Sequence, residues 1–359
     1  LEKIKLDGPI PTINSIQNKL NKPIPMGYSN VGVVYALADD VKEFKIGERV
    51  VSNGFHSEYV AVSKNLCAKI PDEVSNDAAA FTVLGAIGLQ GIRLAKPTFG
   101  ETFLVSGLGL LGILTGQILV AQGCKVIGID PDAEKCKLAN KFGIETHNLV
   151  NENSALSFID NFTKSVGVDG AIITASTSSS DPIHLAAKSC RKQGRIISIG
   201  VTGMEIRRDL FYEKELSFQV SCSYGPGRYD KNYEEEGNDY PLCYVRWTEK
   251  RNFEAILEAL KKKSLLTENL ITHKLPLKKT FEIYELLSGK FFSLGILILY
   301  DKKTSTNRTI KISNNNKTSN KSLINIGLIG AGNYAGSNLI PSLSKTKCNL
   351  YKIVSKSGV

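Results

Sequence analysis

The sequence has little that marks a metal or disulfide scaffold. It contains seven cysteines and four histidines in 359 residues. Cys67, Cys124, Cys136, Cys190, Cys222, Cys243 and Cys348 stand singly, with no C-x-x-C pair, and the histidines are isolated too. Such spacing suits reduced thiols in a cytosolic enzyme and excludes a disulfide framework or a structural zinc knot. No apolar run approaches the roughly 18 residues of a membrane span. The longest, around Phe291 to Tyr300, reads as a buried strand. The chain opens at Leu1 with no signal peptide, so a cytoplasmic protein whose true N-terminus is missing is the expectation.

The body also lacks a charge of one sign. The net charge is +10, yet residues 302–359 carry ten Lys or Arg and no Asp or Glu, so residues 1–301 balance to zero. A nucleic-acid footprint would be a basic face on the folded body, and a neutral body argues against one. Hydrophobic residues at 42% and charged residues at 22% are ordinary for a globular chain of two or three domains.

What is present is a change of pattern near residue 100. Val31 to Leu37, Arg49 to Ser52 and Glu58 to Val62 read as short strands separated by turns such as Lys45-Ile46-Gly47-Glu48, and residues 76–96 read as helical. Strands at Thr102–Ser106, Lys125–Ile129, Gly170–Ala175 and Arg195–Ile199 then alternate with helices at Leu110–Gln122, Ala133–Phe142 and Pro182–Arg191. That alternation predicts a doubly wound parallel sheet in an α/β protein. A helix at Arg251–Lys263 and a strand at Gly295–Tyr300 close the body.

Gly107-Leu108-Gly109-Leu110-Leu111-Gly112 fits G-x-G-x-x-G between a predicted strand and helix, with Asp130 ending the next strand. Gly107 permits the tight turn, Gly109 the approach of a pyrophosphate to the helix N-terminus, and Gly112 close helix–strand packing. Asp130 can accept from both adenosine ribose hydroxyls and would repel a 2′-phosphate, which favours NAD over NADP.

With these residues, Met26-Gly27-Tyr28-Ser29-Asn30-Val31-Gly32 and Phe44-Lys45-Ile46-Gly47-Glu48-Arg49-Val50, the chain from about 23 to 300 resembles the medium-chain, zinc-type alcohol dehydrogenase family. The resemblance implies a GroES-like catalytic domain split between residues 1–88 and 266–301, with a Rossmann domain at 89–265 between them. It also implies that Lys135 contacts the adenosine ribose, that Thr174-Ala175 lies near the adenine, and that Gly200 and Val201 run beside the nicotinamide.

The family usually has Gly-His-Glu where this chain has Gly27-Tyr28-Ser29, and its later cysteine ligand position falls on Thr82. The four-cysteine structural lobe is missing. Tyr, Ser and Thr do not make an ordinary zinc site of thiolate and imidazole, so no zinc is expected. Tyr28 then stands where it can donate a proton to a developing oxyanion, with Ser29 or Thr82 adding a hydrogen bond. Alternatively all three are packing residues that fill a lost site. His56 is expected on a strand away from the cleft.

The stretch Ser221 to Tyr229, with Tyr224 and Arg228, and the later Arg246-Trp247, group aromatics and arginines around a Gly-Pro-Gly turn. They suit a polyhydroxylated or anionic small-molecule substrate, or a subunit-interface loop of a homo-oligomer.

Residues 302–322 are polar and read as a linker. After it Gly330, Gly332 and Ala335 fit G-x-G-x-x-A. This segment resembles the start of the glucose-fructose oxidoreductase and inositol dehydrogenase family, so residues 323–359 read as an incomplete second Rossmann unit. Whether it takes NAD or NADP stays open. The resemblance to two-family fusions implies sugar chemistry in surface polysaccharide synthesis. The leading expectation is a zinc-independent alcohol or carbonyl oxidoreductase. A quinone or enoyl reductase of the same fold, or a non-catalytic nucleotide-binding regulator, are the alternatives.

Overall fold

The computed structural model describes residues 25–289, 291–301, 324–332 and 334–355. They fall into two compact units, one within Pro25–Lys303 and one within Thr304–Val359. The expected linker at 302–322 lies outside the described residues.

In the larger unit six parallel strands form one sheet. They are β4 (Thr102–Ser106), β5 (Lys125–Asp130), β6 (Glu145–Asn148), β7 (Val168–Ile173), β8 (Cys190–Ser198) and β9 (Ser217–Val220). Their spatial order is β6-β5-β4-β7-β8-β9, so the connection reverses direction beside β4. An open sheet of this topology has its ligand crevice at that reversal, outside the carboxyl ends of the strands. Successive residues of a strand point to opposite faces. Phe103 and Val105 therefore join a core with helices α1 (Thr82–Ala95), α2 (Leu110–Ala121) and α6 (Glu249–Lys261). Leu104 joins the opposite core with α4 (Glu152–Thr163) and α5 (Asp181–Ser189). Helix α3 (Ala133–Asn140) starts at Asp132, whose carboxylate accepts from the N–H groups of Glu134 and Lys135.

Ahead of this sheet, β1 (Asn30–Val33), β2 (Arg49–Ser52) and β3 (Cys67–Lys69) pair antiparallel in that order. The third strand is Cys67–Lys69, and the expected strand at Glu58–Val62 is irregular backbone with exposed Glu58 and Tyr59. Val51 and Ala68 are both buried. Their burial favours this pairing, whereas residues 58–62 pair with no strand among the described residues. β10 (Ile271–Pro276) and β11 (Gly295–Leu299) form a separate parallel pair. Only Gly295 of β11 is buried, and Phe291 and Phe292 are exposed, so the long apolar run is a half-buried strand.

In the smaller unit β12 (Ile324–Ile329) and β13 (Cys348–Val354) pair parallel, joined through a helical segment at 334–343.

Candidate functional site

Between β4 and α2 the chain turns at Gly107 with φ +100°, and a Cβ there would stand 2.7 Å from the Ala175 nitrogen. Gly112, in the first turn of α2, would collide with the Gly107 carbonyl if it carried a Cβ. The Thr174 hydroxyl donates to that same carbonyl at 2.6 Å. A Cβ on Gly200 would overlap the Ala175 carbonyl. Gly107, Thr174, Ala175 and Gly200 thus meet where β4, β7 and β8 end. Leu108 is fully buried and packs over Gly128.

Gly109 is different. It N-caps α2, no side chain caps that helix, and open space lies where its Cβ would be. Leu110 and Leu111 carry the next N–H groups of the helix start, which lack intrahelical acceptors. An uncapped helix N-terminus over an empty glycine is what a pyrophosphate needs. Asp130, 6% exposed, accepts from the Leu108 N–H at 2.7 Å and the Asp132 N–H at 2.8 Å. Two carboxylate oxygens offer about four acceptor positions, so two remain for ribose hydroxyls. Lys135 leans on Asp132 at 3.7 Å, one turn into the helix after Asp130. Val201 is 77% exposed, an apolar surface beside Gly200 that a nicotinamide ring would cover. The residues present fit a dinucleotide.

A second cluster forms around Gly27, at φ +83°. The His56 imidazole packs so closely on it that any Cβ would overlap the ring, and the His56 N–H donates to the Met26 carbonyl at 2.7 Å. His56 is therefore not on a strand away from this loop. It borders Tyr28, and partial burial of its ring lowers its pKa below the ordinary histidine value. Tyr28 is 51% exposed. Ser29 donates its hydroxyl proton to the Ala80 carbonyl at 2.7 Å, which ties this loop to the residues before α1. Thr82, the first residue of α1, is fully buried, and its Oγ1 has no partner. Of the two hydroxyls expected to support Tyr28, Ser29 is committed and Thr82 is free.

This donor set does not fit a catalytic zinc. Zinc takes thiolate, imidazole or carboxylate ligands, and the candidates are a phenol, two aliphatic hydroxyls and one imidazole. Residues 1–24 hold no Cys or His, and no three His, Cys, Asp or Glu among the described residues gather where they could hold a metal.

The aromatic–arginine segment is anchored by a buried side chain, while Tyr229 and Tyr244 stay exposed. Tyr224 is 3% exposed, and its hydroxyl accepts from the Asn53 side chain at 2.9 Å. Arg228 pairs with Glu234 at 2.5 Å and lies 4.3 Å from the Tyr229 ring centroid. Trp247 has the Arg93 guanidinium 3.5 Å and the Arg246 guanidinium 3.8 Å from its ring centroid. Two guanidiniums that close lie on opposite faces of the indole. Asn65 donates to the Tyr233 carbonyl at 2.9 Å. The two asparagines, which sequence reasoning missed, pin this segment to the β1–β3 region. A lone Asn near a strand end carries no signal of such a role.

In the smaller unit Gly330 has φ +91°, and its N–H donates to the Val354 carbonyl at 2.7 Å. Open space surrounds the Cβ positions of Gly330 and Gly332, and Ala335 is buried.

Residues 8–72 match the alcohol dehydrogenase GroES-like domain, and residues 111–236 match the zinc-binding dehydrogenase family. The D-xylulose reductase of Saccharomyces cerevisiae is 24% identical over 60% of this chain and 70% of its own length. The D-guloside 3-dehydrogenase of Escherichia coli is 26% identical over 68% of each chain. The solved 2R,3R-butanediol dehydrogenase of Bacillus subtilis covers 77% of this chain and 80% of its own at 22% identity, with a TM-score of 0.64. The galactitol-1-phosphate dehydrogenase of Escherichia coli covers 79% and 86% at 17% identity, with a TM-score of 0.64. These matches support the medium-chain, zinc-type alcohol dehydrogenase-like family, with its GroES-like and Rossmann-type domains, for this chain. Neither family match reaches residues 323–359.

Proposed function

We propose that this NAD(P)-dependent oxidoreductase of the alcohol and polyol dehydrogenase type uses NAD and interconverts an alcohol and a carbonyl on a sugar-like substrate without zinc. The observation that carries the reading is the unpartnered hydroxyl of fully buried Thr82, at the position where relatives place a metal ligand, beside the loop that presents Tyr28. A buried hydroxyl without a partner is costly unless a ligand completes it.

A bound nicotinamide supplies or accepts the hydride. In the reducing direction the substrate carbonyl oxygen gains negative charge as its carbon gains hydride. Tyr28 holds a proton at its hydroxyl and delivers it to that oxygen, and Thr82 donates a hydrogen bond to the same oxygen. Tyr28 recovers its proton from solvent or from His56, whose ring borders Gly27. In the oxidising direction the same groups run in reverse. Ser29 positions the loop through Ala80. The names of the relatives, D-xylulose reductase and D-guloside 3-dehydrogenase, support a polyhydroxylated substrate. A role in surface polysaccharide synthesis, a cytoplasmic setting and a homo-oligomeric state belong to the same proposal. Gly330, Gly332 and Ala335 belong to it as a second, partial nucleotide site for NAD or NADP.

Two measurements test it. Elemental analysis of the purified chain should find no stoichiometric zinc, and chelators should leave turnover with a polyol or ketose unchanged. One tightly held zinc per chain, lost together with activity, would return the chain to the zinc-using chemistry that its family match names. The full-length protein should also bind NADH more tightly than NADPH. Asp130→Ala should narrow that preference by about tenfold or more, because it removes the charge that repels a 2′-phosphate and an acceptor for the ribose. Tighter NADPH binding to the unmutated chain would refute the assignment.

A further inference from the structure

Helices α1, α2 and α6 leave a groove of about 230 Å³ between them, lined by Leu89, Ile118, Ala121, Ile256, Ala259 and Leu265, with Arg93, Gln122 and Ser264 among its polar groups. It lies at the last turn of α2. The twelve residues of α2 separate Gln122 from Gly109, so the groove is about 20 Å from the dinucleotide loop.

Arg93 is the charged group on this wall, and it has no counter-charge. Its Nε–H donates to the Asn252 side chain at 2.8 Å, and no carboxylate of the described residues pairs with it. No bond from its two terminal nitrogens occurs among the described residues. Burial and the neighbouring Arg246 push its pKa down to about 10. Arg246, on the other face of Trp247, has no carboxylate partner either, so two cations repel across one indole. A partly buried cation such as Arg93, left without a counter-charge, is costly unless an anion joins it.

We propose that this groove binds a small amphiphilic monoanion, a carboxylate with an apolar tail, its head on the free fork of Arg93 and its tail along Leu89, Ile118 and Ile256. A guanidinium whose Nε is already engaged still presents its two terminal nitrogens as a bidentate match to one carboxylate. The apolar lining suits a short alkyl tail, and hexanoate is a representative carboxylate that carries one. From Arg93 the bonds continue through Asn252 to the Tyr224 carbonyl, and Asn53 holds the Tyr224 hydroxyl. The groove is thereby joined to the chain that leads to His56.

The chain has a single tryptophan, and it rests on Arg93, so its emission reports the site directly. Titration of hexanoate into the full chain should change Trp247 emission saturably, with a midpoint on the order of 1 mM. Inorganic phosphate, which lacks the tail, and hexan-1-ol, which lacks the charge, should each bind at least tenfold more weakly. Arg93→Ala should weaken hexanoate at least tenfold. Ala259→Phe, which fills the groove and leaves the Arg93–Trp247 stack in place, should abolish binding without altering the resting emission. If Arg93→Ala does not fold, Arg93→Lys keeps the charge, loses the fork and carries the same expectation. The proposal is overturned by hexanoate giving neither an emission change nor heat in calorimetry. It is equally overturned by hexan-1-ol or phosphate binding as well as hexanoate, or by undiminished binding in either variant.

Discussion

Tyr28→Phe should lower turnover by at least about a hundredfold and leave NADH affinity nearly unchanged. Removing a positioned acid typically costs roughly 10²–10⁴-fold in rate. The cost here should not fall at the low end. The neighbours able to replace the phenol are few: Ser29 donates its hydroxyl hydrogen bond to the Ala80 carbonyl, and Thr82 carries an aliphatic hydroxyl, a far weaker acid than a phenol. The dinucleotide loop is built from residues that end β4, β7 and β8, and Tyr28 is not among them, which is why affinity for the cofactor should survive. Single-turnover hydride transfer, followed by loss of NADH absorbance, isolates the chemical step. Near-normal rates would remove Tyr28 as the acid. The same assay on His56→Gln then decides whether the imidazole packed on Gly27 acts in its place.

Glu249→Gln should stabilise the protein at pH 8 by about 2–4 kcal/mol and have almost no effect at pH 5. Glu249 is fully buried at the start of α6, and neither carboxylate oxygen has a hydrogen-bond partner. Burial raises its pKa from the ordinary 4.5 to about 8, the negative charge of Glu234 adds to the rise, and Arg228, already paired with Glu234, opposes it. In the unfolded chain the group ionises near 4.5, in the folded chain only near 8. Below 4.5 it is protonated in both states and costs nothing. Between 4.5 and 8 the folded state holds a proton that the unfolded state releases, so stability falls as pH rises, and above 8 the loss is complete. Glutamine does not ionise and should flatten that part of the profile. Denaturant midpoints of both proteins from pH 5 to 9 measure it. Parallel curves would mean that Glu249 finds a partner on ionising.

The dinucleotide loop was legible in the sequence because its constraints are local. A strand, a turn that needs positive φ at Gly107, a helix start without a cap and an acidic residue one strand later lie within the 29 residues from Thr102 to Asp130, and each states its own steric or electrostatic reason. The β4–α2–β5 unit follows from apolar runs of strand and helix length. The hydroxyl side chains of residues 28, 29 and 82 were equally legible, and they are what the proposal of zinc-free chemistry starts from.

Other features depended on pairings far apart in sequence. No local pattern separates Cys67–Lys69, which pairs with β2, from Glu58–Val62, which pairs with no strand among the described residues. The sequence could not place His56 against Gly27 or bring Asn53 to Tyr224, 171 residues away. Arg93 and Trp247 are 154 positions apart in sequence, yet stack through the packing of α1 against the stretch before α6. Aromatic and arginine content predicted a substrate surface there. Tertiary packing decided the local arrangement, with the Trp247 ring between the Arg93 and Arg246 guanidiniums.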